Sequence, residues 1–422
     1  MPPPENGPRE QLTSWKEISA ALGVAVRTAQ RWERDRGLPV RRLSGDKGRI
    51  VADASELADW KQALATDANR WADGPFLRLY TAGSTAALLV LACLLLWIAY
   101  SNRRGLPASV RPEFKSVVVS DAHGRELWRW SFPDVMGAEG YYSELAGRTS
   151  LIGDLDGDSE VEVLFAYLPA GAERTGTELA CFSASGKLKW RFEPGGEVAD
   201  GTAAYSRTYV ITDMAVWEAE PDGGFRIAVS SNHAVHHPSQ VALLDGRGNL
   251  LGEYWHSGHL DALETSDLDR DGFREILAVG TSNGNRAATL VVLDSRNITG
   301  ASCEQPGSPL QLRNLTPASE KAVLQFPRTC VNRRLGLYNQ AKRVRVAGES
   351  ISVRVQELGG DYTCAAFYTL DRSLQVTRVE VSDTLRAAHQ RLESEGALDH
   401  RLTGAEVVRL GASTRSAGCK AR

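Results

Sequence analysis

Two short segments of this chain concentrate carboxylates at alternating positions. Asp154, Asp156, Asp158 and Glu162 form one, and Asp267, Asp269, Asp271 and Glu275 form the other. Both read D-x-D-x-D-x-x-x-E. Alternate carboxylates in a tight loop converge on one point, and Ca²⁺ takes about six to eight oxygens at roughly 2.4 Å. The carbonyls of Glu160 and Phe273 fall where an intervening ligand is needed. The pattern assigns Ca²⁺ as cofactor at both loops, against the plainer alternative of an Asx-stabilised turn without metal. Gly272 follows the third Asp of the second loop and Ser159 that of the first, so the second loop is the better formed. A third segment, with Glu218, Glu220 and Asp222, is degenerate.

Histidines also gather, as His233, His236 and His237 and as His256 and His259. His-x-x-His pairs suit a transition metal; the other readings are polar loops at a propeller face and a polar ligand pocket. The six cysteines (Cys93, Cys181, Cys303, Cys330, Cys364 and Cys419) form no CxxC pair. If exported, those after Cys93 allow one or two disulfides with a thiol left over. No nucleophile–base pair or carboxylate pair stands outside the acidic loops, so the expectation is a protein without enzymatic activity.

A third chemistry is basic. Between Thr13 and Ile50 lie nine Lys/Arg and four Asp/Glu, in a chain whose net charge is −3. Arg27, Thr28, Gln30, Arg31 and Arg34 are candidate DNA contacts on one helix. Arg27 and Arg31 suit guanine edges, and Gln30 suits adenine. Arg41, Arg42, Lys47 and Arg49 flank a Gly-rich turn and suit phosphates. The plainer alternative is a solvated module that binds another protein.

The elements that position these residues follow from periodicity. Ser14 and Glu17 have capping-box spacing, and Trp15, Ile18 and Leu22 share a helical face. Gly23 turns the chain into a helix over Val26–Arg36, which Gly37 and Pro39 stop. Two short strands flank Ser44–Gly48, and a helix begins near Ser55. Leu79 to Tyr100 carries no charge over 22 residues, enough to span about 30 Å of hydrocarbon. Further on, Gly124, Gly186 and Gly248 recur every 62 residues within strand–turn–strand patterns, and Trp128 and Trp190 keep the same spacing. Such a period indicates propeller blades or a similar array. Too few copies are present to close a ring, so closure must recruit the region after Ser302 or a second chain.

Residues Trp15–Leu22, Gly23, Arg27–Trp32, Gly37–Pro39 and Gly45–Gly48 resemble the winged helix-turn-helix of the MerR and phage excisionase type, with Ala25 where the second helix usually has a polar cap. The acidic loops, each leading into an apolar strand, resemble FG-GAP or VCBS calcium loops of integrin-like propellers. The whole resembles bacterial membrane proteins that join the two.

The expected fold is multidomain: a small α-rich winged helix-turn-helix, one transmembrane helix, then all-β propeller-like repeats with a C-terminal α+β region. The expected boundaries are a disordered tail over 1–11, the DNA-binding domain over 12–68 and the membrane helix over 77–101. The β-repeats follow over 112–302, a β-rich region with one helix over 303–410, and a tail over 411–422. The expected function is a transcriptional regulator anchored in the inner membrane, with its N-terminus cytoplasmic and a calcium-binding sensor exported. Expected partners are DNA, the membrane and an extracytoplasmic ligand or protein, with a homodimer compatible. The alternatives are an exported propeller enzyme (a quinone-dependent dehydrogenase or lyase) and an integrin-like adhesion module.

Overall fold

Local signals account for the first elements of the computed structural model, which describes residues 10–43, 49–70, 90–93, 105–137, 139–142, 147–171, 177–219, 224–318, 320–336 and 338–416. The chain divides into two compact units, Met1–Arg103 and Arg104–Arg422. In the first, β1 (Gln11–Leu12) leads to α1 (Trp15–Leu22). The Ser14 hydroxyl accepts the Glu17 amide at 3.2 Å, and the Glu17 carboxylate accepts the Thr13 amide at 2.8 Å. Gly23, at φ 70°, ends α1 in the left-handed region that favours glycine. The helix α2 (Val26–Arg36) starts at Ala25 with no side-chain cap. Then come β2 (Arg41–Arg42), β3 (Ile50–Asp53) and α3 (Ala54–Arg70), and the strands pair in the order β1-β3-β2. Ile18, Leu22, Ala29, Leu38, Ile50, Ala52 and Leu57 form the core.

The second unit is a series of antiparallel meanders. Sheet one holds β4 (Ser109–Glu113), β5 (Ser116–Ser120) and β6 (Glu126–Ser131). After the short helix α4 (Glu139–Tyr142), sheet two holds β7 (Ser150–Gly153), β8 (Glu162–Tyr167), β9 (Glu178–Ser183) and β10 (Leu188–Phe192). A small hairpin, β11 (Val198–Ala199) and β12 (Ala204–Tyr205), precedes sheet three. That sheet holds β13 (Tyr209–Ala219), β14 (Gly224–His233), β15 (Pro238–Asp245) and β16 (Leu250–Ser257). Sheet four holds β17 (Leu260–Ser266), β18 (Glu275–Ser282), β19 (Ala287–Asp294) and β20 (Glu320–Phe326). Helix α5 (Cys330–Leu335) leads to sheet five: β21 (Gln340–Ala347), β22 (Ser350–Leu358), β23 (Asp361–Leu370) and β24 (Val376–Val381). Helices α6 (Asp383–Ser394) and α7 (Gly404–Ala412) follow, and β25 (Arg415–Ser416) returns to the edge of sheet four beside β20.

Successive sheets face each other. Along β8, Val163, Phe165 and Tyr167 pack toward sheet one, while Leu164 and Ala166 pack toward sheet three. This is the period-two alternation of a strand buried on both faces. The same alternation along β18 sends Ile276 and Ala278 to sheet three and Leu277 and Val279 to sheet five. Near the first strands of the sheets, Arg148 donates to both Asp213 oxygens, at 3.0 and 3.1 Å, and to the Leu263 carbonyl at 2.5 Å. Lys342 of β21 pairs with Asp261 of β17 at 2.9 Å. A cavity of about 260 Å³ lies among Arg148, Asp213, Glu264 and Arg343, residues belonging to sheets two to five. The arrangement is propeller-like, and the region after Ser302 supplies the fifth sheet.

The 62-residue period has a physical cause. Gly124, Gly186 and Gly248 sit in the last hairpin turn of sheets one to three at φ 77–83°. A Cβ on Gly186 would stand 2.7 Å from the Trp128 ring, and one on Gly248 2.5 Å from Trp190. Each indole N–H also reaches the next sheet's turn: Trp128 donates to Ala184 O and Trp190 to Gly246 O. The repeated Gly and Trp are therefore the two halves of one inter-sheet joint. Gly252 takes the next Trp position, because the insertion 295–319 runs past it and a Cβ there would strike the Ile298 carbonyl.

The expected fold class is corrected by this architecture. Strands, not helices, dominate the described residues, and both units contain sheets. No helix among the described residues is long and apolar enough to cross a membrane. The expected span 77–101 lies outside the described residues except for 90–93.

Candidate functional site

The two acidic loops join the first and second strands of sheets two and four, and they are built alike. Asp154 accepts the Gly157 and Ser159 amides at 2.8 and 2.9 Å; Asp267 accepts the Asp271 and Gly272 amides, both at 3.1 Å. The buried final carboxylate folds back on its own loop: Glu162 accepts the Leu155 amide and Glu275 the Leu268 amide. Asp158 and Asp271 accept the amides of Glu160 and Phe273 at 2.8 and 2.9 Å. Glu160 points to solvent, and the Phe273 ring lies 4.5 Å under the Arg296 guanidinium.

A lysine reaches into each carboxylate cluster from one side. Lys189 Nζ lies 2.7 Å from Asp156, 3.0 Å from Glu162 and 3.4 Å from Asp158. Lys321 lies 2.8 Å from Asp269 and also pairs with Glu275. Burial alone would lower both ammonium pKa values; the hydrogen bonds to Asp and Glu more than reverse that and raise them. The Lys321 hydrogen bond in turn lowers Asp269.

Both lysines are the extra residue of a β-bulge. The register skips Lys189 between Leu188 and Trp190, and Lys321 between Glu320 and Ala322. A bulge re-aims a side chain. Sheets one, three and five skip Leu127, Leu251 and Thr377 at the same place. The lysine thus appears where the acidic loop is complete. Each ammonium offsets one charge of a loop that carries four carboxylates, and the oxygens of Asp154, Asp156, Asp158 and Glu162, like those of Asp267, Asp269 and Asp271, still lie within 4.8 Å of one another. Of the residues expected to hold Ca²⁺, Asp154, Asp156, Asp158 and Glu162 gather in one cluster and Asp267, Asp269 and Asp271 in the other, while Glu275 pairs with Lys321, and Glu160 and Phe273 were expected to offer only their carbonyls. Sequence reasoning missed the lysines because the pairing that brings the fourth strand beside the loop is tertiary.

The histidines meet at the opposite ends of the strands, where the loops β14–β15, β16–β17 and β18–β19 gather. They do not converge on a metal. His233 Nδ1 accepts the Val235 and His236 amides at 3.2 and 3.1 Å, leaving Nε2–H to face Ser206. His259 Nε2 donates to the His236 carbonyl at 2.7 Å. His237 Nε2 lies 3.1 Å from Asp200, which also accepts from the Tyr205 hydroxyl at 2.8 Å. Burial holds His233 neutral, down to about 4, with the neighbouring histidines adding to the effect. Burial also lowers His237 against the opposing pull of Asp200. His256 is fully buried, its Nδ1 3.1 Å from the Tyr254 hydroxyl.

This face carries an open cavity of about 390 Å³, with His236, His237, His259, Asn283, Tyr338 and Gln340 among its lining. Its one Lys–Asp pair, Lys342 with Asp261, is internally neutral. Tyr338, Gln340 and Lys342 escaped sequence reasoning, since they come from the fifth sheet's approach, about 80 residues beyond the last histidine loop.

In the first unit, Arg27, Arg31 and Arg34 are exposed along α2, with Thr28 and Gln30 half-buried. Arg41 and Arg42 are tied to Glu56 and Glu33 at 2.8 and 3.0 Å. Arg49 is exposed, and Lys47 lies outside the described residues. Cys303 is disulfide-bonded, and Cys93, Cys181, Cys330 and Cys364 are free.

No known family matches the chain, and no curated protein does. The helix-turn-helix and FG-GAP resemblances therefore gain no support there. Among solved structures, a protein of unknown function from Bacteroides caccae is similar at 10% identity and TM-score 0.24, over 66% of this chain and 93% of that one. The Dos1 propeller is similar at 15% identity and TM-score 0.33, over 64% and 65%. A thermostable family-43 glycoside hydrolase is similar at 13% and 0.27, over 55% and 73%.

Proposed function

We propose that the second unit is a recognition module that binds a neutral, hydroxyl-rich ligand, of the carbohydrate class, at its histidine face. The observation that carries this is the cavity between the loops of sheets three to five. Its polar lining offers imidazole, amide and phenol groups, and its charges are paired within the protein. Neutral imidazoles donate at one nitrogen and accept at the other, which suits hydroxyl groups and disfavours an anion. Pockets of this kind use a few placed polar groups for orientation. Calorimetry of the full chain against a panel of neutral oligosaccharides tests it. Asn283→Ala and Gln340→Ala should weaken binding about tenfold each, the scale of one lost hydrogen bond. Binding that ignores both variants, or no binding across the panel, removes the proposal. Release of reducing ends during the titration would instead assign a hydrolase.

A second reading concerns the first unit alone. Arg27, Arg31 and Arg34 form an exposed cationic row, and this favours a nucleic-acid partner over the solvated-module reading. Duplex DNA should bind the full chain with steep salt dependence. Arg31→Ala should weaken binding, and Arg42→Ala should do so less, because Glu33 already holds Arg42. DNA binding that is absent at low salt rejects this reading.

A further inference from the structure

Away from both sites, three elements at the carboxy-terminal end bring together a thiol, an imidazole and a carboxylate. Cys330 stands in the first turn of α5, His400 in the loop before α7, and Glu406 in the first turn of α7. Thr329 and Thr403 cap the two helices through their hydroxyls. Cys330 Sγ lies 3.2 Å from Glu406 Oε1 and 3.7 Å from His400 Nε2, and His400 Nε2 lies 3.3 Å from Glu406 Oε1. A tetrahedral ion with ligands at about 2.0–2.3 Å sets its donors roughly 3.3–3.8 Å apart. The three atoms match three corners of such a tetrahedron.

The fourth corner has a candidate just outside the 4.8 Å reach that Cys330, His400 and Glu406 share, one that enters by a side-chain shift when metal binds, and it is the independent observation. His389 lies on the buried face of α6 between Leu385 and Leu392, where the spacing demands an apolar residue. It is 1% exposed, and neither ring nitrogen has a hydrogen-bond partner. Its ring meets that of His400 edge-on at 5.2 Å. It lines the same cavity, of about 820 Å³, as Cys330 and Glu406. A buried imidazole without a partner is destabilising, and a bound ion would remove that penalty.

The outer arrangement agrees. Asp399 Oδ1 lies 3.0 Å from His400 Nδ1, so the far nitrogen of His400 is oriented by a carboxylate, the usual support of a metal-bound histidine. Arg333 donates to Cys330 Sγ at 3.2 Å.

We propose that Cys330, His389, His400 and Glu406 form a zinc-class metal site that fastens α5, α6 and α7 together. Thiolate and imidazole donors select a borderline-soft ion over calcium. Four protein ligands leave no open position, so the role is structural. Binding replaces the Cys330 thiol proton with the metal and releases it to solvent.

The test uses the purified full chain stripped of metal and titrated with Zn²⁺ and with Co²⁺. One equivalent should bind. Cobalt should give tetrahedral visible bands and a near-ultraviolet thiolate charge-transfer band. Cys330→Ser should lose the charge-transfer band, and His389→Gln should weaken zinc by more than tenfold. Asp399→Asn, fully exposed and safe for folding, should weaken it by about tenfold. Asp156→Asn, in an acidic loop, should leave zinc binding unchanged. A wild-type chain without the cobalt bands overturns the site, as does a full cobalt spectrum in His389→Gln. Near-ultraviolet circular dichroism of each metal-free variant separates lost ligands from lost folding.

Discussion

Lys321 and Lys189 show how one residue changes the chemistry of an acidic loop. In sheet four the ammonium lies between Asp269 and the buried Glu275. Replacing Lys321 with Met leaves the Glu275 carboxylate buried without its cation, at a cost of about 2 kcal/mol after allowance for the partly exposed lysine. The same change restores a site for a hard cation. Wild-type melting should therefore be unmoved by millimolar Ca²⁺, while Lys321→Met should melt lower and recover when Ca²⁺ is added. A wild-type melting point that climbs with calcium would return the loops to the calcium reading. The inter-sheet joint is a second case. Gly248→Ala forces a Cβ into Trp190 at a left-handed φ, which should cost about 2–4 kcal/mol. Gly360→Ala, equally left-handed but with open space, should cost about 1 kcal/mol. Denaturant titrations giving equal losses would show that the Trp contact contributes nothing.

At the scale of elements, β16 and β20 are linked by a buried polar chain. The Tyr254 hydroxyl donates to Glu320 Oε1 at 2.7 Å and lies 3.1 Å from His256 Nδ1. Burial raises Glu320 to about 7 and lowers His256 to about 4. Both groups are therefore neutral from about pH 4 to about pH 7. Their effects on stability have opposite signs. His256 binds its proton more weakly when folded, so its contribution is present above its unfolded value of about 6.5 and is lost as pH falls toward 4. Glu320 binds its proton more tightly when folded, so its contribution is present below its unfolded value of about 4.3 and is lost as pH rises toward 7. Glu320→Gln should make stability rise more steeply with pH over this window, and His256→Gln should make it rise less. Parallel wild-type and variant profiles from denaturation at pH 5 and pH 7 would refute the buried chain.

For the whole molecule, what matters is how the sheets hold each other. Asp213 of sheet three is buried and accepts from Arg148, just before the first strand of sheet two, and from the Leu263 amide of sheet four. Asp213→Ala removes a carboxylate shared by three sheets and leaves the guanidinium facing a cavity. The loss should be about 3–5 kcal/mol, with a lower denaturant slope if the sheets then part in steps. An unchanged midpoint would show that apolar stacking alone sets the order of the sheets.

Periodicity, turn chemistry and capping were legible in the chain itself. The helix over Val26–Arg36, the uncapped Ala25, the glycines at 62-residue intervals and the two acidic loops all depend on neighbours close in sequence. Local backbone geometry is enough to specify them. The five-sheet plan with its fifth member after Ser302, the lysines that pair with the acidic loops, and the cavity sharing β21 with the histidine loops were decided elsewhere. Each brings together residues from different strands or sheets, and nothing in their spacing marks the meeting. The same holds for Cys330 and His400, which stand 70 residues apart. A pattern of residue types records what a loop could hold, but only the packed sheets determine which charge reaches it first.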